Sequence, residues 1–416
     1  MKTERQPIQA LMAEVGVSRF PARGEGFYER VMDEYEGRGC VLTDPAYYES
    51  LHARYGSLPH TLEAYKQAAV AMAKNEPLTR FLMLLCKALR DRAHIGQDLK
   101  ELTLPHPTDY RIEYEMLTAL AMCATADYTH GLLTARGLPQ SQIDYVMREN
   151  EKMVLTYQMR HNGQAGAMSF DWFQLVVDAK ILTAGRLEIE LDVSFPDTAV
   201  VYANARGERV ALAQNQTFHR EGMPLGSRFF EDGEGAFTPT ITETETAYEG
   251  YAYDEYGRVT RARRCVLPKA QWHSILRGGD PVVGLHIPPG GGLTPTAVEE
   301  SLAEAERILA AYYPDYDYRG FLCDSWLMDR QLVDLMGKEA NVSQFCLRFD
   351  RVSRQGRGRG IFSFVFLCPD VERVDVAALP ERTALERALK AHCLGGRTIY
   401  ETVGYIPRIK GGDGRC

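Results

Sequence analysis

The sequence has no Cys-x-x-Cys pair, although nine cysteines are scattered from Cys40 to Cys416. An odd number at wide spacing excludes a disulfide framework and a cysteine-based zinc module, and it suits a reducing cytoplasm. No apolar run approaches the roughly 18 residues that a membrane span requires. The opening Met1-Lys-Thr-Glu-Arg-Gln-Pro7 leads into an amphipathic stretch, not into the apolar core of a secretory signal. Positive charge is also short. The 48 Lys and Arg face 56 Asp and Glu, for a formal net charge of -8. That balance argues against adhesion to nucleic acid or acidic membranes as the main task. His60, His94, His106 and His130 show no ligand spacing, so no metal site is expected.

What is present is ample core material. At 416 residues and 45% hydrophobic, the chain is long enough for two domains of ordinary globular composition. Leu78, Phe81, Leu82, Leu85 and Leu89 recur at helical spacing, as do Ile112, Met116, Leu117 and Leu120. Pro59, Pro77, Pro105 and Pro107 punctuate these segments. Residues 1–135 therefore read as a helical domain and 136–416 as a second domain.

The second domain changes character after Gly163. A helix is expected over about 169–183, stopped by Gly185. Leu187, Ile189 and Leu191 then alternate with Arg186, Glu188 and Glu190, as on a half-buried strand. The pairing of 195–246 is not legible. Residues 251–267, with Gly257 in the turn, read as a β-hairpin. Further on, a strand over 282–287 leads through Pro289-Gly-Gly-Gly292 to a helix with Thr294 as N-cap and Pro295 at its first position. Strands over 318–325, 345–352 and 361–367, a short helix after Asp329, a helix over 383–394 and a strand over 398–403 complete the expected order.

A helix start is a natural anion site, because its first amides lack intrahelical partners and the macrodipole favours negative charge. Gly290, Gly291 and Gly292 remove the side chains that would hold a phosphate away from the backbone. His286 shares a strand face with Gly284, opposite Val283, Leu285 and Ile287, and an imidazole titrates near neutrality.

The segments Gly284-Leu-His-Ile-Pro288, Leu293-Thr-Pro295, Asp324-Ser-Trp-Leu327 and Leu379-Pro-Glu-Arg-Thr-Ala-Leu385, with Phe170-Asp-Trp172 and Gly185-Arg-Leu187 before them, resemble a family of bacterial two-domain acyltransferases. In that family an N-acyltransferase N-terminal helical domain precedes a GNAT-like C-terminal domain. The resemblance implies an α+β chain in which a mixed β-sheet flanked by helices follows the helical part. It also implies a cytoplasmic enzyme that moves an acyl group, acetyl being the first expectation, from acetyl-CoA or another acyl-CoA to a small-molecule or peptide amine.

On the resemblance, Gly290, Gly291, Gly292, Leu293 and Thr294 would hold the cofactor pyrophosphate. Val283, Gly284, Leu285 and Ile287 would pair with its pantetheine arm. His286 would be the general base, Asp324 its orienting partner and Tyr405 the proton donor to the thiolate.

One feature departs from the family pattern. The usual Arg/Gln-x-x-Gly-x-Gly/Ala signature is missing after Ile287 and occurs instead as Gln355-Gly-Arg-Gly-Arg-Gly360, ahead of a segment that reads as a strand. This departure keeps a second reading open, a non-catalytic acyl-CoA sensor or interaction module on the same fold. Two arginine clusters, Arg258/Arg261/Arg263/Arg264 and Arg348/Arg351/Arg354/Arg357/Arg359, are candidates for gripping the 3′-phosphate of coenzyme A or an anionic acceptor. Cys323 has no activating neighbour in sequence.

Overall fold

A computed structural model describes residues 8–18, 26–90, 104–105, 107–167, 170–227, 230–355 and 358–408. His94, His106 and Arg357 lie outside the described residues. The chain forms two compact units that divide between Leu182 and Thr183.

The described part of the first unit is helical. In order come α1 (Ile8–Val15), α2 (Phe27–Arg38), α3 (Pro45–Tyr55), α4 (Leu62–Met72) and α5 (Glu76–Arg90). Then follow α6 (Ile112–Glu115), α7 (Leu117–Cys123), α8 (Ala126–Ala135), α9 (Gln140–Met147), α10 (Glu149–Arg160) and α11 (Phe170–Val177). The Leu78–Leu89 stripe is buried, as its period requires, and α5 packs against α1, α2 and α7. Helices α9 to α11, assigned from sequence to the second domain, belong to this unit. Asn150 donates to the Ala119 carbonyl at 3.2 Å and Thr129 to the Val177 carbonyl at 3.1 Å, tying them to α7 and α8. No helix among the described residues is long and apolar enough to cross a membrane.

The second unit holds nearly all the strands: β1 (Ile181–Ala184, which spans the division), β2 (Leu187–Ser194), β3 (Ala199–Asn204), β4 (Arg209–Ala213), β5 (Thr242–Glu243), β6 (Ala247–Tyr253), β7 (Val259–Pro268), β8 (Trp272–Leu276) and β9 (Pro281–His286). Next come α12 (Pro295–Tyr312), β10 (Gly320–Ser325), α13 (Gln331–Met336), α14 (Asn341–Leu347), β11 (Asp350–Gln355), α15 (Gly360–Phe364), α16 (Ala384–Leu394) and β12 (Glu401–Pro407). One sheet runs β1-β2-β9-β10-β12-β11. The other runs β5-β6-β4-β3-β8, with β7 on β6. Val282, Leu322, Val352, Val403 and Tyr405 of the first sheet meet Ala199, Val201, Ala213, Tyr253 and Leu276 of the second in a shared core.

The expected hairpin forms between β6 and β7, with Gly257 at φ +74°. Two expected strands do not form as read. Residues 341–347 are helical, and β11 begins only at Asp350; the Arg351 guanidinium donates to the Cys346 carbonyl and closes the helix end. Residues 361–364 are helical in α15, which buries Ile361 and Phe362 while Phe364 stays 66% exposed, and Phe366 is buried just beyond it. A short apolar run has no period that separates strand from helix.

Asp329 anchors this end of the sheet. Fully buried, it accepts from Arg354 at 2.5 Å, from the Tyr400 amide at 2.8 Å and from the Gln331 amide at 3.1 Å. Arg354 also lies over the Tyr400 ring. Removing one partner of such a pair strands the other charge, at a cost of about 3–5 kcal/mol. Asp329→Ala is therefore expected to lower stability by about that amount in urea denaturation, and Asp329→Leu combined with Arg354→Met to recover most of it. A loss below about 1 kcal/mol for the single variant would show that the pair ties nothing together.

Candidate active site

The site is built on the parallel strand pair β9–β10 of the first sheet. The crossover β9-α12-β10 brings β10 beside β9, but their register holds only where Phe321 meets Val283 and Leu322 meets Gly284. Beyond those pairs β9 continues against β2, and β10 continues against β12. The carboxyl ends of the parallel pair thus each face a different neighbour. In open sheets with crossover helices, this divergence opens a crevice.

Register decides which side chains meet there. Directly opposed residues share a sheet face. Glu188 lies opposite His286 and Glu190 opposite Gly284; Leu322 lies opposite Gly284 and Tyr405, and Asp324 opposite Val403. Glu188, Glu190, His286 and Asp324 therefore occupy one face, joined two residues along β12 by Glu401. The structure brings His286 and Asp324 to the diverging ends, as the sequence suggested.

The group that meets His286 is nevertheless Glu190, whose Oε2 is 2.7 Å from Nε2. Asp324 is exposed at its tip yet packed around by neighbouring groups. Desolvation raises its carboxyl above the usual range, Glu401 raises it further, and His286 pulls it back. Sequence reasoning missed Glu190 because alternation places a residue on a face without naming the strand across from it.

The loop beyond β9 is shaped from behind. Gly290 takes φ +126°, a conformation that favours glycine. Arg186 donates from Nε to the Gly291 carbonyl at 2.6 Å and from a terminal nitrogen to the Gly290 carbonyl at 3.5 Å. In a trans peptide the N–H points opposite to the C=O, so the amides of Gly291 and Gly292 face away from Arg186, outward. Thr294 caps α12 as expected, accepting from the Ala297 amide at 3.3 Å, while Val298 donates to its carbonyl. Pro295 has no N–H. The helix start therefore offers fewer open amides than a generic one, and the glycine loop supplies the remainder. A Cβ at Gly291 would meet nothing within 4 Å.

This topology has a known counterpart. The family model described as a GNAT-like C-terminal domain matches residues 181–406, more than half of the chain. The chain belongs to that family. A search of curated proteins finds no match to the sequence. Among solved structures, an acyltransferase mutant in complex with octanoyl-CoA is similar at 16% identity and a TM-score of 0.60, over 96% of this chain and 98% of that one. An acyltransferase in complex with decanoyl-CoA and teicoplanin is similar at 16% identity and a TM-score of 0.59, over the same shares. Identity this low speaks for the fold.

Within the GNAT-like domain the other sequence candidates fall elsewhere. Tyr405 is buried in the core between the sheets, edge-on to Phe195, and burial pushes its hydroxyl far up. It packs beside Leu322 and is walled off from solvent. Cys323 is fully buried, and Trp326 is 8% exposed against Gly360.

The Gln-x-x-Gly-x-Gly string runs into a short helix, not the expected strand, yet the amides of Gly358 and Gly360 are taken. Glu401 accepts from Gly358 at 3.1 Å and from Gly360 at 2.7 Å, so a side-chain carboxylate already sits where a phosphate would. The arginine clusters are engaged as well. Arg258 pairs with Asp254, Arg264 with Glu249, Arg348 with Glu299, Arg354 with Asp329 and Arg359 with Glu372, and Arg261 covers the Phe237 ring. Among the described residues, no group of His, Cys, Asp and Glu is arranged to hold a metal ion.

Burial pushes the Cys323 thiol far above its usual range. Alkylation of the folded protein at about pH 8.5 should leave the Cys323 peptide unmodified by mass spectrometry, and urea should expose it. Labelling of Cys323 in the folded state would contradict this placement.

Proposed function

We propose that the protein transfers an acyl group from an acyl-CoA to an amine. The observation that carries this reading is the divergence of β9 and β10, with His286 on one lip and Asp324 on the other, beside an exposed glycine loop. The neighbours in complex with octanoyl-CoA and decanoyl-CoA support it. In this reading the outward amides of Gly291 and Gly292, with Leu293 and Thr294, hold the pyrophosphate. Arg186 keeps Gly290 and Gly291 turned, in place of the missing signature residue. Val283 and Gly284, expected to pair with the pantetheine arm, are taken up by the ladder to β10, so the backbone from Leu285 to Ile287 is the part that lies along it.

The amine arrives as an ammonium ion drawn by Asp324 and Glu401, and it loses one proton to solvent before attack. As its nitrogen bonds to the thioester carbon, His286 takes the second proton. The carbon–sulfur bond then breaks, and the thiolate leaves protonated as free coenzyme A. Substrate and product balance without any further reagent. The acceptor is a small-molecule or peptide amine, and the free thiols of the described cysteines are in keeping with work in the cytoplasm.

Release of thiol is the direct test, with acyl-CoAs from acetyl to decanoyl offered against a panel of amines. His286→Ala should lower kcat by roughly 10²–10⁴ and leave affinity for coenzyme A within about twofold. A Cβ at Gly291 meets no protein atom within 4 Å, so Gly291→Val should fold normally and weaken coenzyme A binding by about tenfold or more, read as a smaller thermal shift. Coenzyme binding without turnover for any pair would favour the sensor reading.

The raised carboxyl of Asp324 carries a pH consequence. Its ionised form is lost on acidification earlier than that of an ordinary aspartate. The amine KM should therefore climb on the acid side of neutrality in the wild type, and Asp324→Asn should show a high KM at all pH values. An Asp324→Asn profile superimposable on wild type would remove Asp324 from acceptor binding.

A further inference from the structure

Read from sequence, Glu190 belongs to the polar side of a half-buried strand. Three features of the fold direct it instead onto His286. The β2–β9 register sets Glu190 opposite Gly284. A Cβ at Gly284 would stand 3.0 Å from the Glu190 Cβ and 3.3 Å from its Oε2, so only glycine leaves the lane along which the carboxylate reaches the next pair on β9. Just past Glu190, β2 carries a bulge in which Leu191 and Asp192 together face Val283, with Asp192 at φ +62°. Tyr316 fills that irregularity, accepting from the Asp192 amide at 3.1 Å and donating to the Val282 carbonyl at 2.8 Å. The bulge pins the register, and a slip of one residue would turn Glu190 to the other face. Glu190 ends with 21% of its side chain exposed and His286 with 34%, at a contact of 2.7 Å.

We infer that Glu190 is a positioning residue of the acyl-transfer site, holding His286 in the tautomer and ring orientation a general base needs. The inference rests on reading His286 as that base. A carboxylate only accepts hydrogen bonds, so Nε2 carries the hydrogen and Nδ1 the lone pair. During transfer the amine proton passes to Nδ1 as the carbon–nitrogen bond forms. Glu190 balances the imidazolium until that proton leaves with the thiolate sulfur, and Glu190 itself neither touches substrate nor takes the proton. The division of labour is then clear: Glu190 serves the base, and Asp324 serves the incoming amine.

The test uses Glu190→Ala and Glu190→Gln in the full chain. Glu190→Ala should lower kcat by roughly 10- to 100-fold, a share of the general-base contribution, with the acyl-CoA KM within about twofold. Glu190→Gln still offers an acceptor and should recover part of the rate. Melting temperatures should match wild type. Ring nitrogen NMR, assigned by the signal lost in His286→Ala, should show His286 as the single Nε2–H tautomer in wild type and as a mixture in Glu190→Ala.

An unchanged kcat in Glu190→Ala, or a loss that follows a lowered melting temperature and is not rescued by Glu190→Gln, overturns the inference. If His286→Ala is inactive but tautomer and rate ignore Glu190, the positioning role alone has failed. If His286→Ala turns over normally while the tautomer still follows Glu190, the base reading has failed and the inference falls with it.

Discussion

The structure depends on a parallel pairing that stops early. Backbone N–H and C=O groups must be satisfied, and a continuous ladder is the usual means. Here β9 and β10 pair at Val283–Phe321 and Gly284–Leu322, then turn to different partners. The groups on their facing edges beyond that point have no ladder with each other, so a ligand that offers amides or phosphate oxygens finds a polar seam. The crossover through α12 produces this geometry, because a parallel pair needs a long connection and the connection ends at a helix start.

Charge gathers around that seam in a chain that is acidic overall. Glu188, Glu190, Asp324 and Glu401 share a face with a single imidazole, although they come from three strands. Three of these carboxylates have different occupations. Glu190 meets His286, Glu401 accepts two loop amides, and Asp324 reaches solvent but has its ionised form disfavoured by its surroundings. Crowding like charges costs free energy unless each is neutralised locally. In the proposed reading, Asp324 is the member whose charge an arriving ammonium neutralises, which ties acceptor binding to the electrostatics of this face.

Much of this was legible from residues alone. The helical stripe of α5, the N-cap at Thr294, the hairpin around Gly257 and the turn at Gly290–Gly292 follow from periods and backbone preferences that act over a few positions. His286 and Asp324 could be put on neighbouring strands by order of elements. Strand partnership could not, since a period of two assigns a face and leaves the opposite strand unnamed. Glu190 was therefore read as solvent-facing, and Tyr405, buried between the sheets, as a proton donor. The strands read over 345–352 and 361–367 fail for another reason: each run is too short to show a period, and residues 345–347 and 361–364 are helical while 350–352 are strand as expected.

The carboxylate of Glu401 on the amides of Gly358 and Gly360 has a consequence for how related sequences should be compared. A glycine string recognises an anion through its backbone, and any anion of the right size satisfies it, including one the chain carries itself. The string is therefore silent wherever an acidic residue stands at the start of the neighbouring strand. In a relative that keeps the glycines but has a neutral residue in place of Glu401, the same loop would become a second anion seat on this fold.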